Sequence, residues 1–154
     1  MKNENKMIEE LHGLVCRKQA EELAIAAKDN DLNQRTDTGD TLLLSAIRND
    51  TAEIAKILLE NGADPNYPND RGWYPLHFAI QQQNMDIVKL LVKNGANINQ
   101  QDGIFGNTPV FIAVAKTEGR AFIDFFLNLG ADVTIPNKMG VTVLQVANRK
   151  NVDL

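Results

Sequence analysis

Apolar side chains recur along this chain in short clusters with helical spacing. Leu76, Ala79 and Ile80 occupy positions i, i+3 and i+4. The same spacing returns a few residues later at Ile87, Leu90 and Leu91. Side chains at this spacing lie on one face of an α-helix. The segment is therefore predicted to form two short amphipathic helices, each of which buries one apolar face.

This pair of helices repeats along the chain with a period near 33 residues. A Gly-Ala pair follows each second helix, at residues 62, 95 and 130, so the spacings are 33 and 35. A further glycine precedes each first helix, at Gly39, Gly72, Gly106 and Gly140. A fixed period of this length indicates stacked units that contact only their neighbours.

Two residue types mark the helix ends in each unit. Pro75 suits a first helical position, where its missing N–H leaves no hydrogen bond unmade. Gly95 follows the second helix, where the chain often needs a positive φ that glycine adopts at low cost. We therefore predict a positive φ at Gly95, with Leu90 and Leu91 buried between units.

Composition and charge argue against several classes of protein. The chain has 154 residues, enough for one domain, with 44% apolar and 23% charged residues, as in a folded protein. Its longest all-apolar run is six residues, 110–115, too short to span a membrane. A net charge of −4 argues against nucleic-acid binding. No signal peptide is apparent, so we predict a cytoplasmic protein.

The repeated residues resemble the ankyrin repeat. The resemblance rests on Tyr-Pro-Leu-His-Phe-Ala at 74–79, Asp-Ile-Val-Lys-Leu-Leu at 86–91, and Gly95-Ala96, all within a 33-residue period. It extends over residues 36–150 and weakly over the N-terminus. It implies an all-α ankyrin-repeat solenoid of stacked helix–turn–helix units with β-turn fingers, whose fingers and first helices form a concave face.

The repeat register divides the chain into five units. These are a degenerate N-terminal capping repeat at 1–35, ankyrin repeats at 36–68, 69–101 and 102–136, and a partial C-terminal repeat at 137–154. The capping unit is expected to bury Met7, Leu11, Leu14 and Val15, and then Leu23, Ile25, Ala26 and Ala27. The repeat at 102–136 has one extra residue in its finger, at 102–106, and another between its helices, near 117–120. Insertions of this kind often lie on a binding face.

Candidate catalytic residues are few. The resemblance implies that His77 ties a turn to its helix by hydrogen bonds, and His12 is a lone histidine on the capping helix. Cys16 is the single cysteine, which excludes an internal disulfide, and we expect a buried, reduced, inert thiol. The 20 carboxylates form no paired or metal-ligating motif. The sequence therefore predicts no enzyme, no cofactor and no metal.

A protein-binding surface is predicted on the concave face. Trp73 lies in a finger, and Ile104, Phe105 and Met139 extend an apolar ridge along the next fingers. An exposed aromatic beside an arginine is typical of binding hot spots. The alternative is that the lengthened finger folds back and buries Phe105 against Trp73. The predicted contact residues are Asp40, Arg48, Asn49, Arg71, Trp73, Gln81, Gln82, Ile104, Phe105, Asn107, Lys116 and Met139.

The sequence thus predicts a protein–protein interaction module, acting as a monomer and without nucleic-acid or membrane partners. Two alternatives remain open: a regulatory or inhibitory subunit of one enzyme, and a small-ligand binder. A further pattern concerns residues 37–70, which hold seven acidic residues against Arg48 and Lys56. That cluster is either a solvated face or a patch that steers a basic partner.

Overall fold

The computed structural model describes residues 2–116 and 120–154, with side chains from residue 6 onward. This part of the chain is all-α, with no extended strand. Its helices are α1 (Lys2–Cys16), α2 (Ala20–Ala26), α3 (Leu42–Arg48), α4 (Ala52–Glu60), α5 (Pro75–Gln81), α6 (Met85–Lys93), α7 (Pro109–Lys116), α8 (Arg120–Asn128) and α9 (Val143–Lys150). The insertion expected near 117–120 falls at 117–119, outside the described residues.

The helices stack in two rows, which confirms the predicted all-α repeat solenoid. The first helix of each pair packs on the first helix of the next pair, in the order α1, α3, α5, α7 and α9. In the second row, α2 packs on α4 and α4 packs on α6. The buried core runs between the rows from Ile8 to Ala147. Each unit therefore depends on its neighbours for burial, as in other solenoids.

Local capping explains where the first helices begin. The Thr41 hydroxyl accepts a hydrogen bond from the Leu44 amide at the start of α3, at 3.2 Å. Thr142 and Gln145 form a reciprocal capping box at the start of α9. Pro75 occupies the first turn of α5. Such caps satisfy amide groups that a helix start leaves without partners.

The second helices bury a different stripe from the one that we predicted. In α6, Ile87, Val88 and Leu91 are buried, whereas Leu90 is only half-buried. At about 100° per residue, positions i, i+1 and i+4 form one continuous arc, and position i+3 lies beyond its edge. The predicted burial of Leu90 was therefore only partly right. The buried arc of α6 must face both α5, the first helix of its own unit, and a neighbouring unit.

The N-terminal unit departs from its predicted stripe in the same way. Leu11, Val15 and Leu23 are buried as expected, but Met7 and Ile25 are exposed. The expectation was wrong at these two positions because Ile8 takes the core position in α1, and Ile25 lies on the outer face of α2, 73% exposed.

The positive φ predicted for Gly95 is confirmed, with a value of 89°.

Candidate protein-binding face

Four fingers connect the units, and each is closed by a backbone hydrogen bond between its ends. They span residues 36–40, 69–73, 102–107 and 137–141. The third finger contains one residue more than the others, as the spacing of its glycines predicts. We keep the name concave face for the surface formed by these fingers together with α1, α3, α5, α7 and α9.

A buried Asn or Asp at the base of each later finger holds its tip in shape. The Asn69 side-chain oxygen accepts hydrogen bonds from the Arg71 and Trp73 amides at 3.1 and 2.9 Å. Asp102 accepts four amide hydrogen bonds within the third finger, from residues 104–107. Asn137 plays the same part in the fourth finger. These residues were missed by the sequence reasoning, although their spacing of 33 and 35 was visible.

Hydrogen bonds also join each finger to the next. Backbone bonds of 2.8–3.0 Å run from Asp70 to Gly39, from Gly103 to Gly72, and from Lys138 to Phe105. Two of the base residues add side-chain bonds, from Asn69 to Asp40 and from Asn137 to Asn107. The finger tips therefore form one connected row, which holds the predicted contact residues in a defined arrangement.

The first concentration of predicted residues is a groove of about 360 Å³, which we call the basic groove. It lies between α1, α3 and the first two fingers. Its lining residues are His12, Cys16, Thr38, Asp40, Ser45, Arg48, Asn49 and Arg71. Four of the predicted contact residues therefore lie together here: Asp40, Arg48, Asn49 and Arg71.

Asp40 has a narrower role than the contact residue that we predicted. It is only 6% exposed, and its carboxylate accepts a hydrogen bond from Asn69 at 2.9 Å. The same carboxylate pairs with the Arg48 guanidinium at 2.5 Å. That guanidinium also lies over the Phe78 ring, 5.0 Å from its centroid. Asp40 thus positions Arg48, whose side chain remains 52% exposed.

The second concentration is a groove of about 380 Å³ between the second and third fingers, α5 and α7, which we call the apolar groove. Its lining residues are Trp73, Gln81, Phe105, Asn107, Phe111, Ile112, Ala115 and Lys116. Trp73 is half-buried, and its ring meets Phe78 edge to face at 5.9 Å. Phe105 is 51% exposed. The alternative in which Phe105 and Trp73 bury each other is therefore wrong.

Three predicted contact residues lie outside both grooves. Ile104 and Met139 are exposed on the third and fourth fingers. Gln82 lies at the end of α5 and donates a hydrogen bond to the Arg48 carbonyl at 3.3 Å. These residues flank the grooves rather than line them.

The grooves also contain residues that the sequence reasoning set aside. Cys16 was expected to be buried, but it is exposed, and its sulfur lies 3.4 Å from Nε2 of His12. The repeat register held the signal, because Cys16 precedes Asn49 by 33 residues and His12 precedes Ser45 by 33. The capping helix α1 therefore contributes to the concave face through the same positions as α3.

His77 makes its hydrogen bond to the next unit rather than to its own turn. Its Nε2 donates to the Asn107 carbonyl at 3.0 Å, which joins α5 to the third finger. Its Nδ1 is buried without a hydrogen-bond partner among the described residues. Burial lowers the pKa of His77 below the usual 6.5, and the Asn107 carbonyl offsets this only in part. His77 is therefore a neutral structural link between units.

The acidic residues of 37–70 are spread over several elements, although the Asp70 carboxylate lies against Gly39 in the first finger, which also contains Asp37. Asp37 and Asp70 lie in the first two fingers, Asp50 follows α3, and Glu53 lies in the first turn of α4. Among the residues that line the two grooves, Asp40 is the sole carboxylate from this segment. The steering of a basic partner by these residues stays a prediction.

Residues 2–116 and 120–154 contain neither a cluster of metal ligands nor a membrane-spanning helix. Within those ranges, no three His, Cys, Asp or Glu side chains are grouped as ligands for a metal ion. No helix there has the length and apolar character needed to cross a bilayer.

Comparisons with known proteins agree with the repeat pattern described above. A family model for ankyrin repeats in three copies matches residues 6–102, more than half of the chain. The chain is also similar to neurogenic locus notch homolog protein 1 of Xenopus tropicalis, with 34% identity over 122 residues. That match covers 79% of this chain but spans only 5% of the notch protein. The family match includes the capping helices and ends where the lengthened third finger begins.

Proposed function

This chain belongs to the ankyrin repeat family, and from that premise we propose that it binds a partner protein through its concave face. Ankyrin repeats are in general protein–protein interaction modules. The observation that carries the proposal is the apolar groove, in which Trp73 and Phe105 present aromatic surface to solvent. Aromatic side chains and arginine dominate binding energy at protein interfaces.

The linked fingers supply the mechanism. Because hydrogen bonds between fingers already fix the backbone around Arg71, Trp73 and Phe105, a partner need not order these loops on binding. Preorganisation of this kind raises affinity by reducing the conformational entropy lost in the complex. We also propose that the protein acts in the cytoplasm as a monomer, without enzymatic activity, cofactor or nucleic acid.

The test compares two substitutions in the apolar groove with a matched control. Phe105→Ala should barely change stability, because its half-exposed ring leaves no closed cavity. Trp73→Ala should lower stability through lost burial against the core, and by a further ~0.5–1.5 kcal/mol through the lost edge-to-face pair with Phe78. Ile25→Ala removes an exposed apolar side chain from α2 that lines neither groove.

The measurement is affinity purification from the native cell, with mass spectrometry and then affinity determination for each variant. We expect a partner that the wild type and Ile25→Ala retain equally. Each groove substitution should weaken that partner by about 30-fold, the effect of a 2 kcal/mol hot spot. A partner retained unchanged by Trp73→Ala and Phe105→Ala would refute binding through the concave face.

A further inference from the structure

The linings of the two grooves are more positive than the chain as a whole. Its two grooves contain three cations, Arg48, Arg71 and Lys116, against the single anion Asp40. The whole chain carries a net charge of −4. Since Asp40 is buried and already paired with Arg48, the grooves retain a surplus of two positive charges, three minus one. This surplus points toward an acidic ligand.

Two of these cations are free to pair with such a ligand. The side chains of Arg71 and Lys116 are exposed, and neither has a hydrogen-bond or ion-pair partner in the described part of the chain. Two cations of the fourth finger and α9 are engaged: Lys138 donates to the Gly103 carbonyl, and Lys150 donates to the Ala115 carbonyl. Arg71 and Lys116, by contrast, lie at the grooves without a partner among the described residues, where a ligand carboxylate would reach them.

The positive charge lies directly beside apolar surface. Arg71 lines the basic groove, and Trp73, two residues along the same finger, lines the apolar groove. Phe78 bridges the two, 5.0 Å from the Arg48 guanidinium and 5.9 Å from the Trp73 ring. The guanidinium and the Trp73 ring are therefore at most about 11 Å apart, a distance that an extended peptide spans in about three residues at ~3.3 Å each.

We propose, resting on the function proposed above, that the concave face recognises a peptide segment of its partner with an acidic side chain followed or preceded within about three residues by a large apolar one. The carboxylate pairs with Arg71 and the exposed edge of Arg48. The apolar side chain enters the apolar groove against Trp73. A second carboxylate, where present, reaches Lys116 at the far end of that groove.

The grooves fit this ligand better than a nucleic acid. A nucleic-acid surface needs a track of cations that follows successive phosphates. Here apolar side chains separate Lys116 from the two arginines. A charged group next to an apolar anchor matches the core and rim of a protein interface.

The experiment selects ligands from a display library of random dodecapeptides on the 154-residue chain at about 0.15 M salt. We expect enrichment of peptides with Asp or Glu within three residues of Trp, Phe, Leu or Ile. One enriched peptide is then synthesised in two forms, with its acidic residue kept or changed to Lys. Because surface ion pairs are screened by salt, the acidic form should bind less tightly as salt rises.

Charge reversal of the protein supplies the decisive comparison. Arg71→Glu should weaken the acidic peptide by at least fivefold and strengthen the lysine form, whereas the matched reversal Lys89→Glu on α6 should leave both unchanged. Lys89 is exposed and lines neither groove. Trp73→Ala should weaken both forms by at least tenfold. The bound acidic peptide should also slow maleimide labelling of Cys16, the single cysteine, which lines the basic groove.

The outcomes separate this inference from the proposed function. Enrichment of basic or uncharged peptides that still depend on Trp73 would overturn the acidic specificity and leave concave-face binding intact. Peptides insensitive to both Arg71→Glu and Trp73→Ala would overturn both. A selection that enriches no peptide would overturn the peptide ligand. The peptide ligand would also be overturned if a labelled oligothymidine bound more tightly than the peptides and Arg71→Glu abolished that binding. The partner purification described above would then decide the proposed function separately.

Discussion

Three glycine-to-alanine substitutions separate backbone strain from close packing between fingers. Gly95 has a φ of 89°, and a Cβ there would meet no atom within 4 Å. Gly103 has an ordinary φ, but a Cβ there would come within 2.8 Å of the Gly72 Cα. Gly72 combines both constraints, with a φ of 79° and a Cβ that would lie 2.7 Å from the Gly103 Cα.

The structure sets the order of the three losses in stability. Gly95→Ala should cost about 1–2 kcal/mol, the left-handed penalty of a residue with a Cβ. Gly103→Ala should cost about 1–3 kcal/mol, because backbone rather than a flexible side chain must move. Gly72→Ala should cost about 2–5 kcal/mol, since the left-handed penalty and the displacement of backbone act together. The substitution should also strain the 2.8 Å hydrogen bond from the Gly103 amide to the Gly72 carbonyl.

The assay is urea unfolding followed by circular dichroism and by fluorescence of Trp73, the single tryptophan, which adjoins Gly72. Circular dichroism reports the helix stack, and Trp73 reports the second finger. Gly72→Ala and Gly103→Ala should shift the native emission of Trp73, whereas Gly95→Ala should not. If Gly72→Ala and Gly95→Ala lower stability equally, within about 0.5 kcal/mol, the close approach of the fingers does not contribute and the reasoning fails.

Two further predictions concern the core. Leu91→Ala should lower the free energy of unfolding by about 2–5 kcal/mol, because Leu91 is fully buried, and a loss below 0.5 kcal/mol in urea unfolding would contradict its placement. The wild type should lose stability as pH falls below 6.5, because the unfolded chain gains a proton at His77 while the native state, with its lowered pKa, does not. In His77→Leu this loss of stability should be smaller, by up to about 1.4 kcal/mol per pH unit. An unchanged dependence of stability on pH in this variant would refute the lowered pKa of His77.

The period of the sequence was enough to predict the repeat architecture. Helical spacing at Leu76, Ala79 and Ile80 and the glycines that end each unit are local signals, since they depend on helix geometry and on the φ of single residues. They identified the stacked helix pairs and the positive φ of Gly95. The boundaries of the five units stay predictions, as do the roles of the contact residues.

The environment of individual side chains was decided by tertiary packing. The burial of Val88 instead of Leu90 depends on which neighbours a second helix faces, and the spacing of apolar residues within one helix does not contain that information. The burial of Asp40 and its pairing with Arg48 need the second finger, which contributes Asn69 from 29 residues away. The exposure of Cys16 likewise follows from its place in the stack, where it lines the same groove as Asn49 of α3.

The charge of the grooves also depends on the tertiary structure. Counted along the chain, residues 37–70 are strongly acidic, which predicts either a solvated acidic face or a patch that attracts a basic partner. In three dimensions those acidic side chains lie on several elements, whereas Arg48, Arg71 and Lys116 line the two grooves from α3, the second finger and α7. Composition sums charge regardless of direction, but a ligand meets only the charges that the fold turns toward it. The repeat fold follows from the sequence alone, and the sign of its grooves follows only from the stacking of the units.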